Sequence, residues 1–187
     1  MFMMHSKEKG FTLIELLFVI MVMGILIVIA GSFSSGFSSR RNVDSVTNSI
    51  SSNIQISKLQ AARDGVQHRV SLSITGSILE IVRERGDSNT VSSNWTELAR
   101  QKVKLENKLI VELPNEEDPT VPVIFKPTGS VQFEPADPSE IPYTCVVKPD
   151  NSANYKRCGQ VSVSTFGIIE IIKGNWDGSN CNQIGDG

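Results

Sequence analysis

The sequence predicts an α+β protein, a long N-terminal helix followed by an antiparallel β-sheet head, and three observations predict it. Residues Phe11 to Ala30, FTLIELLFVIMVMGILIVIA, form an apolar run in which only Thr12 and Glu15 are conspicuously polar. Val43, Val46, Ile50 and Ile54 then recur at intervals of 3, 4 and 4, the spacing of one helix face. From Gln67 onward the period becomes strand-like, with turn residues between short β-rich segments. The 187 residues suffice for one ordinary domain plus an appendage, and 40% hydrophobic content is usual for a globular chain.

At about 1.5 Å per residue, the run from Phe11 to Ala30 reaches across a hydrocarbon layer of ~30 Å, which makes it a candidate transmembrane helix. Lys7 and Lys9 stand just before it, and positive charge on the short side predicts the N-terminus inside and the rest outside. Arg40 and Arg41 beyond the span partly offset that asymmetry. An ordinary secretory signal cut after Ala30 fits less well, because the run exceeds the usual apolar core and carries a carboxylate. An acid deep in a bilayer costs about 2.5 to 3.5 kcal/mol, so Glu15 needs a partner. Gly24 and Gly31 allow close helix contact or bending, and the serine-rich stretch GSFSSGFSS follows.

The amphipathic stripe continues less regularly through Leu59, Ala61 and Ala62 and ends near Asp64-Gly65, a glycine stop. Its apolar face is expected to lie on the head. In the head, Val70 to Ile74 and Ile78 to Val82 flank Thr75-Gly76-Ser77 as a hairpin. Lys108 to Leu113 reads as a strand stopped by Pro114 and an acidic loop ending at Pro119. Val121 to Phe125 and Val131 to Phe133 surround the turn Lys126-Pro127-Thr128-Gly129. Tyr143 to Lys148, Val161 to Ser164 and Ile168 to Ile172 complete the strands.

The segment Lys9-Gly10-Phe11-Thr12-Leu13-Ile14-Glu15 resembles the type IV prepilin processing site. That resemblance implies cleavage after Gly10 by a prepilin peptidase, N-methylation of Phe11, and pairing of Glu15 with the Phe11 amine of a neighbouring subunit. The physics agrees, since two charges costly alone in lipid offset one another when helices pack. The implied fold is the pilin ladle, with the membrane half of the helix protruding and its outer half packed on the head. The implied organisation is a leader at 1–10, an assembly helix at 11–30, a linker and amphipathic helix at 31–65, and a β-rich periplasmic head at 66–187. Ile124-Phe125-Lys126-Pro127-Thr128-Gly129-Ser130-Val131 and Val161-Ser162-Val163-Ser164-Thr165-Phe166-Gly167-Ile168 resemble head phrases of the GspH/FimT family. This family comprises minor pseudopilins of type II secretion and minor type IV pilins. Ile168 stands where many of its members have arginine. The implied setting is the inner membrane, N-terminus cytoplasmic, and then a pilus or pseudopilus. The implied partners are the peptidase and other pilins or pseudopilins through the N-terminal helix.

No catalytic constellation, cofactor motif or metal ligand set is expected. His5 falls in the leader and His68 stands alone beside a strand, while Glu116, Glu117 and Asp118 read as a solvated turn rather than a calcium loop. Nucleic acid is disfavoured as a partner: the formal charge is -2, and the tail after Ile172 sets Lys173 against Asp177 and Asp186. DNA or surface recognition by a pilus-tip head is the alternative function. Arg83 with Arg85, and Lys156 with Arg157, read as exposed pairs, and Trp176 as a packing or loop residue. Of three cysteines, Cys145 and Cys158 are placed for a bridge across a hairpin turning around Asp150 to Ala153, with Cys181 the rival partner.

Overall fold

The computed structural model describes residues 12–106, 108–113, 122–133, 143–153 and 155–183, the side chains of 28–39 excepted. The leader, Gly10, Phe11 and the acidic loop of Glu116, Glu117 and Asp118 lie outside these residues. Among the described residues one helix, α1 (Leu13–Asp64), precedes ten strands paired antiparallel, so the fold is α+β. Two compact units divide it, Met1–Ser38 and Ser39–Gly187.

In the first unit, the large apolar side chains of α1 from Leu13 to Ile27 are all exposed, from 40% at Val22 to 83% at Leu13. In the second, α1 carries the predicted stripe: Val43, Val46, Ile50, Ile54 and Ala61 are fully buried. The stripe departs from expectation at its end. Leu59 is 69% exposed and Ala62 is exposed, while Ser57 is fully buried. The helical period explains this, because the face that holds Ile54 advances by three and four residues to Ser57 and Ala61, leaving Leu59 outward. The helix stops at Gly65, whose φ of 68° is a left-handed C-terminal turn that glycine adopts without steric cost.

Five strands form one sheet in the order β3-β2-β1-β5-β6: β1 (His68–Thr75), β2 (Ile78–Gly86), β3 (Trp95–Lys104), β5 (Val123–Phe125) and β6 (Val131–Phe133). The other sheet runs β10-β9-β8-β7-β4, from β4 (Leu109–Glu112), β7 (Tyr143–Pro149), β8 (Arg157–Val163), β9 (Ile169–Trp176) and β10 (Cys181–Gln183). Alternation turns Val70 and Leu72 of β1, Cys145 and Val147 of β7, and Val161 and Val163 of β8 into one core with the α1 stripe. The Gly76 hairpin joins β1 to β2 as predicted.

Two strands depart from the sequence reading. β3 was not predicted, because WTELARQKVK has no apolar alternation: it is an edge strand with most residues exposed. The presumed tail after Ile172 is instead a hairpin, since β9 continues to Trp176 and β10 returns along it, with Cys181 opposite Trp176.

Candidate functional site

The described N-terminal segment begins with a helix cap. Thr12 precedes the first helical residue, and its Oγ1 accepts a hydrogen bond from the Glu15 amide at 3.3 Å. Thr12 is therefore the N-cap and Glu15 the third helical residue, at the Thr-x-x-Glu spacing of a capping box, a signal legible in the sequence. The position places the Glu15 carboxylate in the first turn, where the exposed amides and partial positive charge of a helix start favour an anion. The next described side chains, through Ile27, make an apolar surface with Glu15 as its only charge. Among the described residues, no helix is long and apolar enough to cross a membrane. The expected span from Phe11 to Ala30 extends past them at both ends, to Phe11 and to the side chains of Val28, Ile29 and Ala30.

In the head, the two glycine-centred phrases meet. The turn from Lys126 to Ser130 closes through Lys126 N to Ser130 O at 2.9 Å, and that from Ser164 to Ile168 through Ser164 N to Ile168 O at 2.9 Å. Gly129 and Gly167 both have positive φ, 85° and 72°. They touch so closely that a Cβ on Gly167 would lie 2.0 Å from the Gly129 carbonyl oxygen. Val131 N donates to Thr165 O at 3.0 Å, and the Lys58 ammonium from α1 donates to Gly167 O at 2.7 Å. Helix and both sheets are tied at one point, which is a structural reason for two motifs far apart in sequence. The clasp leaves Phe166 82% and Ile168 65% exposed.

The cysteines take the rival pairing in place of Cys145–Cys158. Cys158 bonds to Cys181, their Cα atoms 5.8 Å apart, and Cys145 is free and buried. The β7–β8 register explains why Cys145 and Cys158 do not join. Cys145 lies opposite Val161, and Cys158, one residue from the inward Gly159, points to the other face of the sheet. Gly174, opposite Cys158 on β9, leaves room for β10, since a Cβ there would stand 1.7 Å from the Asn182 carbonyl oxygen. Burial pushes the Cys145 thiol up to about 12, so it is held as an inert thiol.

His68 is fully buried on β1, with Nε2 3.2 Å from the Asp64 carboxylate but neither ring nitrogen in an aligned hydrogen bond. Burial lowers its pKa, opposed by Asp64 and assisted by Arg85 and Arg63. The basic pairs are less free than expected. Arg83 donates to Gln60 on α1, Arg157 pairs with Asp44 at 3.0 Å, and Lys173 donates to Asn48 at 2.7 Å. Trp176 lies under the Lys148 ammonium, which is 4.6 Å from its ring centre and also bound to Glu112. These cations brace the head's own elements. Among the described residues, no group of three His, Cys, Asp or Glu could hold a metal ion.

Comparison with known proteins adds one sequence signature. Residues 5–31 match the prokaryotic N-terminal methylation motif. No curated protein sequence matches the chain. The minor pseudopilin EpsH from the Type 2 Secretion System of Vibrio cholerae is similar in structure at 12% identity and a TM-score of 0.49, over 71% of this chain and 97% of that one. The type IV minor pilin FimU of Pseudomonas aeruginosa is similar at 13% identity and a TM-score of 0.46, over 72% and 91%. Residues 5–31 thus carry a match to the prokaryotic N-terminal methylation motif, and from Leu13 onward that stretch belongs to α1 of an α+β fold.

Proposed function

We propose that this chain is a minor pilin or pseudopilin of the GspH/FimT type, which assembles into a type IV pilus or a type II secretion pseudopilus within its initiating or tip complex. The observation that carries the reading is the methylation motif over residues 5–31, with the Glu15 carboxylate in the first turn of an exposed apolar helix. A prepilin peptidase cuts after Gly10 and methylates the new amine of Phe11. The helix rests in the inner membrane with the head in the periplasm. It then leaves the bilayer as its apolar surface packs against neighbouring helices, and Glu15 pairs with the Phe11 amine of the adjacent subunit. Removing both charges from water is costly singly and compensated together, so incorporation selects the register in which they meet.

The test is incorporation of a Glu15→Val variant into filaments in cells that lack the native chain, followed by shearing and immunoblotting. The variant is expected to be cleaved normally and to be strongly depleted from filaments. Incorporation at the native level would overturn the pairing. Gly10→Ala is expected to leave a longer, uncut chain on a gel, and normal cleavage would overturn the processing site.

A further inference from the structure

We propose that the free edge of β3 is an interface with a second copy of this chain, formed by antiparallel pairing of the two β3 strands. β3 is the longest strand of the head, ten residues at the border of its sheet, and among the described residues its backbone pairs only with β2. An exposed edge of that length is a template for another strand. Two features restrict what it accepts. A bulge at Leu98 interrupts the register, since Arg83 faces Ala99 while Glu84 faces Glu97. Charge is also sorted along the strand, with Glu97 in its first half and Arg100, Lys102 and Lys104 in its second.

The bulge aligns these charges. Glu97 lies three residues from Arg100, yet reaches it at 2.6 Å, so both stand on the same side of the strand. Glu80 of β2 holds Arg100 at 2.7 Å and faces Lys102 at 3.7 Å. Arg100 and Lys102 are thus set against two acids, and the edge repels another copy only weakly. Glu97, Arg100 and Lys102 all remain substantially exposed.

Orientation decides the partner. A generic apolar strand would meet a row of cations, and a parallel copy would set Lys102 on Lys102, which is unfavourable. An antiparallel copy sets the acidic beginning of each strand against the basic end of the other, with Ala99 of both near a two-fold axis. Each contact made once is then made twice, as a closed two-fold interface requires. This interface belongs to the head and does not depend on the helix pairing proposed above.

The experiment is oxidative cross-linking of the full-length chain in detergent micelles, with a single added cysteine at Ala99→Cys and, as a control, at Ser179→Cys in the β9–β10 turn. Adjacent strands at a two-fold axis bring paired Cα atoms within disulfide reach. Ala99→Cys is expected to dimerise at least tenfold faster than the control. Adding Lys102→Glu is expected to abolish that advantage, and Glu97→Lys together with Lys102→Glu to restore it. Equal rates at both positions, as when micelles merely gather helices, would overturn the proposal. So would rapid cross-linking that ignores the charge changes.

Discussion

The approach of α1 to β8 provides a quantitative test of the head. Gly159 lies opposite Thr47, and an added Cβ would stand 2.0 Å from Thr47 Oγ1, 2.8 Å from Cγ2 and 2.9 Å from Cβ. Rotating the threonine cannot clear the last contact, because its Cβ does not move with χ1. Gly159→Ala must therefore push helix and strand apart in a close-packed region, at a cost of about 2 to 3 kcal/mol. At roughly 2 to 4 °C per kcal/mol for a domain of this size, Tm should fall by about 4 to 12 °C. Thr47→Ala removes the two γ atoms and gives up only a side-chain bond to the Val43 carbonyl at 2.8 Å. In that background Gly159→Ala should cost about 1 to 2 kcal/mol less, a coupling of the size expected for residues in contact. The assay is thermal or urea unfolding followed by tryptophan fluorescence, which reports the head because Trp95 and Trp176 lie in β3 and β9. Equal losses in both backgrounds would show that the approach is not tight and refute the reasoning.

Reduction of Cys158–Cys181, which closes a chain separation of 23 residues, should destabilise the head by about 3 kcal/mol on chain-entropy grounds, read as a lower urea midpoint with reductant present. Stability should also fall as pH drops from 7.5 towards 5.5. Burial lowers the pKa of His68 in the folded state, so the unfolded state binds the proton more readily below its ordinary value of about 6.5. His68→Phe should flatten that slope, measured as unfolding midpoints across the range. Cys145, buried and with its thiol pushed up to about 12, should resist maleimide until urea unfolds the head, which mass spectrometry of the labelled chain reads directly.

What the sequence disclosed followed the range of the interaction. The α1 stripe and the Gly76 hairpin depend on neighbours within a few residues, so their spacing was visible. β3 was hidden because an edge strand exposed on both faces lacks the alternation that burial imposes. The cysteine pairing was left open between Cys145–Cys158 and a bridge from Cys181, and parity decides it: Cys145 and Cys158 are equally distant from a plausible turn, but the register puts their side chains on opposite faces. The meeting of Gly129 and Gly167 could not be inferred from either phrase, because the close approach exists only after two sheets come together. Thr12 and Glu15 were a different case, since the capping box was present in four adjacent letters.

That cap gives Glu15 two competing loyalties. Cleavage after Gly10 would leave an ammonium at Phe11, one residue before the cap, at the end of a helix that already bears partial positive charge. On the proposed processing, the carboxylate of the same chain would act as an internal counterion, calming both while a subunit waits alone. Handing it to a neighbour gives up a local attraction of about 0.3 to 1 kcal/mol, which is small beside the cost of an unpaired charge in lipid. On the proposed pairing, a subunit is stored in a neutralised form and can still exchange partners: a single acid would serve first as a safety catch and then as a coupling pin.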